Sequence, residues 1–174
     1  VGAACLSAGA GAGNTAVGYN SMVANTGTRN VAMGYGSMLT SQAVDQCVAI
    51  GYNALNTTNS EEQDGTVAIG YQAGYYVTNP GSGDSGYNTL IGYSAGTSGA
   101  ASYGLTVGAK NTAVGWEALS GRGATGHLEG DNNTVMGFRA GSVLTGDAGN
   151  NTLIGSYAGD AITTGSGHTA VGTS

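Results

Sequence analysis

The chain has 174 residues and a net charge of −6, and only 8% of its residues are charged. Four cations (Arg29, Lys110, Arg122 and Arg139) cannot line a groove that tracks phosphates, so a nucleic-acid partner is excluded. Glycine supplies 34 residues, against a usual ~7% of a chain, yet it does not fall at every third position and proline occurs once, which rules out collagen. Regularly placed Val, Ile and Leu argue against disorder. No apolar run approaches the ~18 residues of a membrane-spanning helix, and no signal peptide precedes the first motif.

One motif organises the chain from end to end. It opens as the second half of a copy at Val1–Leu6, then appears whole as NTAVGYNSM from Asn14 and NVAMGYGSM from Asn30. CVAIGYNAL follows from Cys47, TVAIGYQAG from Thr66 and NTLIGYSAG from Asn88. NTAVGWEAL begins at Asn111, NTVMGFRAG at Asn133 and NTLIGSYAG at Asn151, and HTAVG closes the series from His168. The motif glycines are Gly2, Gly18, Gly34, Gly51, Gly70, Gly92, Gly115, Gly137, Gly155 and Gly172, spaced 16 to 23 residues apart. The motif keeps its length while the connecting segments swell toward the middle. That is the signature of a solenoid with one constant face and insertions on another. Repeats this short cannot hold helix pairs, and their β-branched and glycine-rich composition suits strands. The prediction is an all-β, repetitive parallel β-solenoid, or β-roll, of about ten coils. It forms a single domain over residues 1–174, with almost no helix.

Numbering the motif from its glycine as zero, position −3 is Thr or Val, −1 is Val, Ile or Met, +1 is mostly aromatic and +3 is Ser or Ala. These share parity in an unbroken strand. A glycine inside a strand marks a bend or a close backbone approach, so parity is open to a switch there. The varied polar residues at +2 read as solvent-facing. Stacking places Gly18, Gly34, Gly51, Gly70, Gly92, Gly115, Gly137 and Gly155 in one ladder. Tyr19, Tyr35, Tyr52, Tyr71, Tyr93, Trp116 and Phe138 form another. The opening asparagines form a third, where Asn tolerates left-handed backbone and bonds turns. A single column filled by Ala, Val, Thr and Ser has a thin core, so three columns sharing an interior, a homotrimer, are predicted. Because the chain begins and ends inside a repeat, it is expected to be a piece of a longer fibrous protein.

Few residues offer chemistry. Cys5 stands where other copies have Ser or Ala and Cys47 replaces an opening Asn. Both read as packing residues, because a disulfide between them would span two intervening copies. The acidic residues Glu61, Glu62, Asp64, Asp84, Glu129 and Asp131 lie in connecting segments. Paired carboxylates there would suit glycoside hydrolysis, but they read as solvated loop charges. The stretches Gly130–Asn133 and Gly146–Asn151 offer oxygen ligands without a calcium-loop spacing and read as turns. His127 and His168 stand alone. No catalytic residue, metal or cofactor is therefore predicted. Tyr75, Tyr76, Tyr87 and Tyr103 in the long middle segments are the candidate binding residues, since loop tyrosine offers contact area at low entropy cost.

The copies NTAVGYNSM, NVAMGYGSM, CVAIGYNAL and TVAIGYQAG resemble the head repeats of trimeric autotransporter adhesins, which build a trimeric left-handed parallel β-roll. They also resemble NTAVGYxAG-type repeats of phage tail fibres and other virion fibre proteins. The longer repeat and the aromatic at +1 favour the fibre type. The resemblance implies a non-enzymatic, structural and binding segment of a trimeric virion fibre at the virion surface. Its loops would meet a host-surface glycan or protein, and its ends other fibre or virion proteins, without membrane insertion. The head of a bacterial trimeric surface adhesin, at the cell surface, is the alternative, and a polysaccharide-degrading tailspike is a third reading.

Overall fold

A computed structural model describes residues 1–6, 9–58, 63–77, 86–97, 108–121 and 128–174. Its strands are β1 (Thr15–Val17), β2 (Val31–Met33), β3 (Val48–Ile50), β4 (Val67–Ile69), β5 (Thr89–Ile91), β6 (Thr112–Val114), β7 (Thr134–Met136), β8 (Thr152–Ile154) and β9 (Thr169–Val171). They pair in parallel, in sequence order, as one nine-stranded sheet. Equivalent motif residues are in register, as in Ala16 with Ala32 and Ile50 with Ile69. The protein is thus an all-β parallel β-solenoid, and no α-helix occurs among the described residues. It has nine strands rather than ten, because the opening copy begins at Val1, position −1, too late to supply a strand. That copy still stacks, since the Gly18 N–H donates to the Val1 carbonyl at 2.9 Å.

The motif glycine ends each strand and turns the corner. At Gly51 φ is +135°, and a Cβ there would fall onto the carbonyl oxygen of Gly70 in the next coil. No other residue tolerates both the dihedral and the backbone approach. The corner then uses left-handed backbone twice more, at +2 (Asn20, Asn53, Gln72, Glu117, Arg139) and at +4 (Met22, Met38, Leu55, Leu119). Non-glycine residues in this region cost about 1–3 kcal/mol each. They persist because neighbouring coils hold the backbone on both sides: Asn53 N–H donates to Tyr35 O at 2.8 Å and Leu55 N–H to Ala73 O at 2.9 Å.

The parity question is settled by burial. Position −2 points inward (Ala16, Ala32, Ala49, Ala68, Leu90, Ala113, Val135, Leu153), as do +3 and +4. Positions −3, −1 and +1 face outward. The small residue at −2 is therefore a core position, and close backbone approach belongs to the glycine. Inside, the two large positions alternate. Ala at −2 accompanies Met or Leu at +4 (Ala32 with Met38, Ala49 with Leu55, Ala113 with Leu119), except that Ala68 accompanies Gly74, beside which Val77 packs. Leu90 and Leu153 accompany Gly96 and Gly159. A Cβ on Gly96 would meet Leu90 Cδ2 at 2.5 Å, so the same space is filled from opposite walls. Val44, Val77, Leu128 and Leu144 of the connecting segments complete this core.

Candidate functional site

The opening asparagines form the inner polar ladder. Asn111 N–H donates to Asn88 Oδ1 at 2.8 Å, Asn133 N–H to Asn111 Oδ1 at 2.8 Å, Asn151 N–H to Asn133 Oδ1 at 3.0 Å and His168 N–H to Asn151 Oδ1 at 2.9 Å. Their Nδ2 groups donate to turn carbonyls of their own and the following coil, as Asn111 does to Gly108 O and Gly130 O. The left-handed conformation predicted for these asparagines belongs instead to the residue before each, such as Arg29, Tyr87, Lys110 and Asn132. A second polar ladder was not foreseen. Asp45 Oδ1 accepts from Thr28 N–H and Asp64 Oδ1 from Asp45 N–H, both at 2.6 Å, and Asp131 Oδ1 accepts from Ala109 N–H at 2.7 Å. The recurrence of Asp two residues ahead of the motif at Asp45, Asp64 and Asp131 was the available signal.

These contacts occupy the residues weighed for chemistry. Asp64 and Asp131 hold backbone between coils, Glu129 is exposed, and Glu61, Glu62, Asp84 and His127 lie outside the described residues. Asn133 is bonded within the ladder, and among the described residues no group of three His, Cys, Asp or Glu could hold a metal ion. Both cysteines are free. Burial pushes the Cys47 thiol up to about 12, which keeps it protonated and unreactive.

The constellations left are on the surface. Along the outward strand face, −3 is always Thr or Val and −1 always Val, Ile or Met, so the face carries no charge from β1 to β9. Met33 and Met136 are about two-fifths exposed, and Val17 and Ile154 nearly as much. Eight inter-strand steps make this face roughly 38 Å long. Parallel sheets are ordinarily covered on both faces, and among the described residues this one is covered on the inner face alone.

The aromatic ladder runs beside it, one residue past the glycine corner. Tyr19, Tyr35, Tyr52, Tyr71 and Tyr93 stack with ring centroids 5.0–5.4 Å apart and planes within 18° of parallel. Trp116 closes the stack 3.9 Å from Tyr93. Phe138, predicted as the next rung, departs from the pattern: it meets Tyr157 edge-on at 67° and lies 5.2 Å from the Arg139 guanidinium. The reason is local. Ser156 occupies +1 in the following coil, and the aromatic there is displaced to Tyr157 at +2. Arg139 Nε donates to Glu117 Oε2 at 2.8 Å across the two coils, which raises the guanidinium's pKa further.

Of the candidate binding residues, Tyr75 and Tyr76 pack edge to face, with centroids 4.3 Å apart. Burial, then the nearby phenols of Tyr76, Tyr52 and Tyr71, raise the Tyr75 pKa, so four tyrosines gather around the third and fourth rungs. Tyr87 is elsewhere: it precedes the opening Asn88, stands exposed, and its ring covers Gly65. Tyr103 lies outside the described residues. No protein-family model, curated protein or solved structure matches the chain.

Proposed function

We propose that this protein is a structural segment of a trimeric virion fibre, in which three copies cover one another's outward strand faces. The single observation that carries the reading is that uncovered face. It is uncharged over the whole strand array, with an unbroken Val, Ile and Met row at −1 beside a row of Thr and Val at −3. A face about 38 Å long and two side-chain rows wide exceeds what isolated surface hydrophobics explain. Self-association also supplies the second layer that a parallel sheet requires. A closed symmetric ring of parallel chains presents the same face of each copy to the axis. Backbone hydrogen bonds link every coil to the next, which suits a stiff spacer. In this reading the sequence-variable connecting segments, Tyr75 and Tyr76 among them, supply the contacts to a host-surface glycan or protein.

Sedimentation equilibrium tests the assembly. The expected result is a trimer at micromolar concentration that becomes a folded or partly unfolded monomer in Ile69→Lys/Ile91→Lys, which buries two charges in the shared face. A wild-type chain that sediments as a folded monomer refutes the proposal. Electron microscopy of particles labelled with antibody to this chain tests the placement, and label on the bacterial envelope instead would move it to a surface adhesin.

A further inference from the structure

The tyrosine ladder has a second property that the packing does not use. Five phenols stand one coil apart, in register, with adjacent centroids 5.4, 5.2, 5.2 and 5.0 Å apart and planes 18°, 8°, 7° and 6° from parallel. All five are between 38% and 52% exposed, so their rings are reachable by small molecules and free to tilt about their own side-chain bonds. Neither cysteine competes for a radical formed there, while Trp116, 3.9 Å from Tyr93, and Tyr75, near Tyr52 and Tyr71, are the oxidisable rings beside it among the described residues. Cys47 is buried with its thiol held protonated, and Cys5 donates its S–H to the Gly18 carbonyl. The partners are fixed by backbone pairing, so each phenol always has another within a ring's width, whatever the protein concentration.

We propose that Tyr19, Tyr35, Tyr52, Tyr71 and Tyr93 form an oxidative cross-linking site, at which neighbouring rungs couple into dityrosine. The oxidant is a one-electron acceptor from solution, such as a peroxidase ferryl haem formed with hydrogen peroxide. Each of two adjacent tyrosines gives it one electron and releases its phenolic proton to water. The two phenoxyl radicals pair their unpaired electrons in one new carbon–carbon bond between ring carbons ortho to the oxygens. Each ortho hydrogen then moves to its own oxygen, which restores both phenols. The net change per bond is loss of two hydrogens. The ladder admits four such bonds, between residues 16 to 22 positions apart, and each ties two coils covalently. Trp116 ends the series because an indole offers no phenol to couple. The coupling lies within one chain, so it stands independently of the trimer reading.

The experiment oxidises the full chain with horseradish peroxidase and limiting peroxide, and reads dityrosine fluorescence and the cross-linked peptides by mass spectrometry. The expected products join Tyr19 to Tyr35, Tyr35 to Tyr52, Tyr52 to Tyr71 and Tyr71 to Tyr93, at a yield unchanged by tenfold dilution. Tyr52→Phe leaves two adjacent pairs and should halve the yield. Tyr35→Phe/Tyr71→Phe keeps the ring stack and eight of the ten tyrosines, yet leaves no adjacent phenols in the ladder, and should reduce ladder dityrosine at least tenfold. Yield in that double variant equal to wild type, or products dominated by Tyr75–Tyr76 or by links between chains that fade on dilution, would overturn the proposal.

Discussion

Replacing Asn111 with alanine tests whether the amide ladder, rather than the sheet alone, holds the coils together. Asn111 is fully buried. Its Oδ1 accepts from the Asn133 N–H at 2.8 Å and from Asn133 Nδ2 at 3.0 Å, and its Nδ2 donates to Gly108 O at 2.9 Å and Gly130 O at 3.1 Å. Alanine removes all four bonds. Two groups keep other partners, because Asn133 Nδ2 still reaches Ala148 O at 2.8 Å and Gly130 O still accepts from Asn133. The Asn133 N–H loses its partner in a dry interior, and Gly108 O loses its side-chain donor. At about 1–3 kcal/mol for each unsatisfied buried group, the expected loss is about 3 kcal/mol. Guanidinium unfolding measures the total, and hydrogen exchange at the Asn133 amide measures the local part, which matters because repeat arrays open locally. Asn14→Ala is the internal comparison: it removes the analogous bond to the Asn30 N–H, but at a half-buried site near the chain end, where water replaces the lost partner. A loss below about 1 kcal/mol in Asn111→Ala, with the Asn133 amide as protected as in wild type, would refute the ladder's role.

The core swap predicts a reversal. Leu90→Ala should cost about 2–5 kcal/mol, and Gly96→Leu alone should also destabilise, because its Cβ meets the Leu90 side chain. The double variant should be more stable than either, since it reproduces the Ala–Leu pairing of Ala113 with Leu119; strict additivity in urea unfolding refutes the shared space. Gly70→Ala should cost about 2–5 kcal/mol, because φ is +137° and the new Cβ meets the Gly92 carbonyl, while Gly146→Ala, at φ +57° with open space around it, should cost about 1 kcal/mol. Cys47 should resist a thiol reagent until the chain unfolds. Its folded-state pKa is raised from 9.0 to about 12, so its stabilising effect is complete below pH 9 and is lost as pH rises toward 12. Stability against pH should fall in that window in wild type and less steeply in Cys47→Ala. Arg139→Gln breaks a solvent-screened pair and should leave the thermal unfolding midpoint nearly unchanged.

Most of the architecture follows from a period that any reader of the chain can find, because in-register stacking needs equal motifs and nothing else. The facing of each residue does not follow from alternation, since the glycine corner and the two left-handed residues after it break the alternation. Burial at −2 was nevertheless written in the sequence in another form. Ala at −2 goes with Met or Leu at +4 in four coils, while Leu90, Val135 and Leu153 go with Gly96, Gly141 and Gly159; the exception is Ala68 with Gly74, where Val77, Leu90 and Leu55 border the space. Only residues sharing one space trade volume in this way. The stacked phenols were legible because they recur at one motif position. The approach of Tyr75 to Tyr52 and Tyr71 was not, since it depends on where a longer coil runs past the corner. The same volume trade explains the uncovered face. Positions −2, +3 and +4, with a few residues from the connecting segments, already fill the interior of every coil. The Val, Ile and Met ladder at −1 has no volume left to occupy inside its own chain. Under the proposed trimer, a neighbouring copy would cover this apolar row, which no described residue of the same chain covers. Substituting −1 residues in one chain should therefore disturb assembly far more than the fold of the single column.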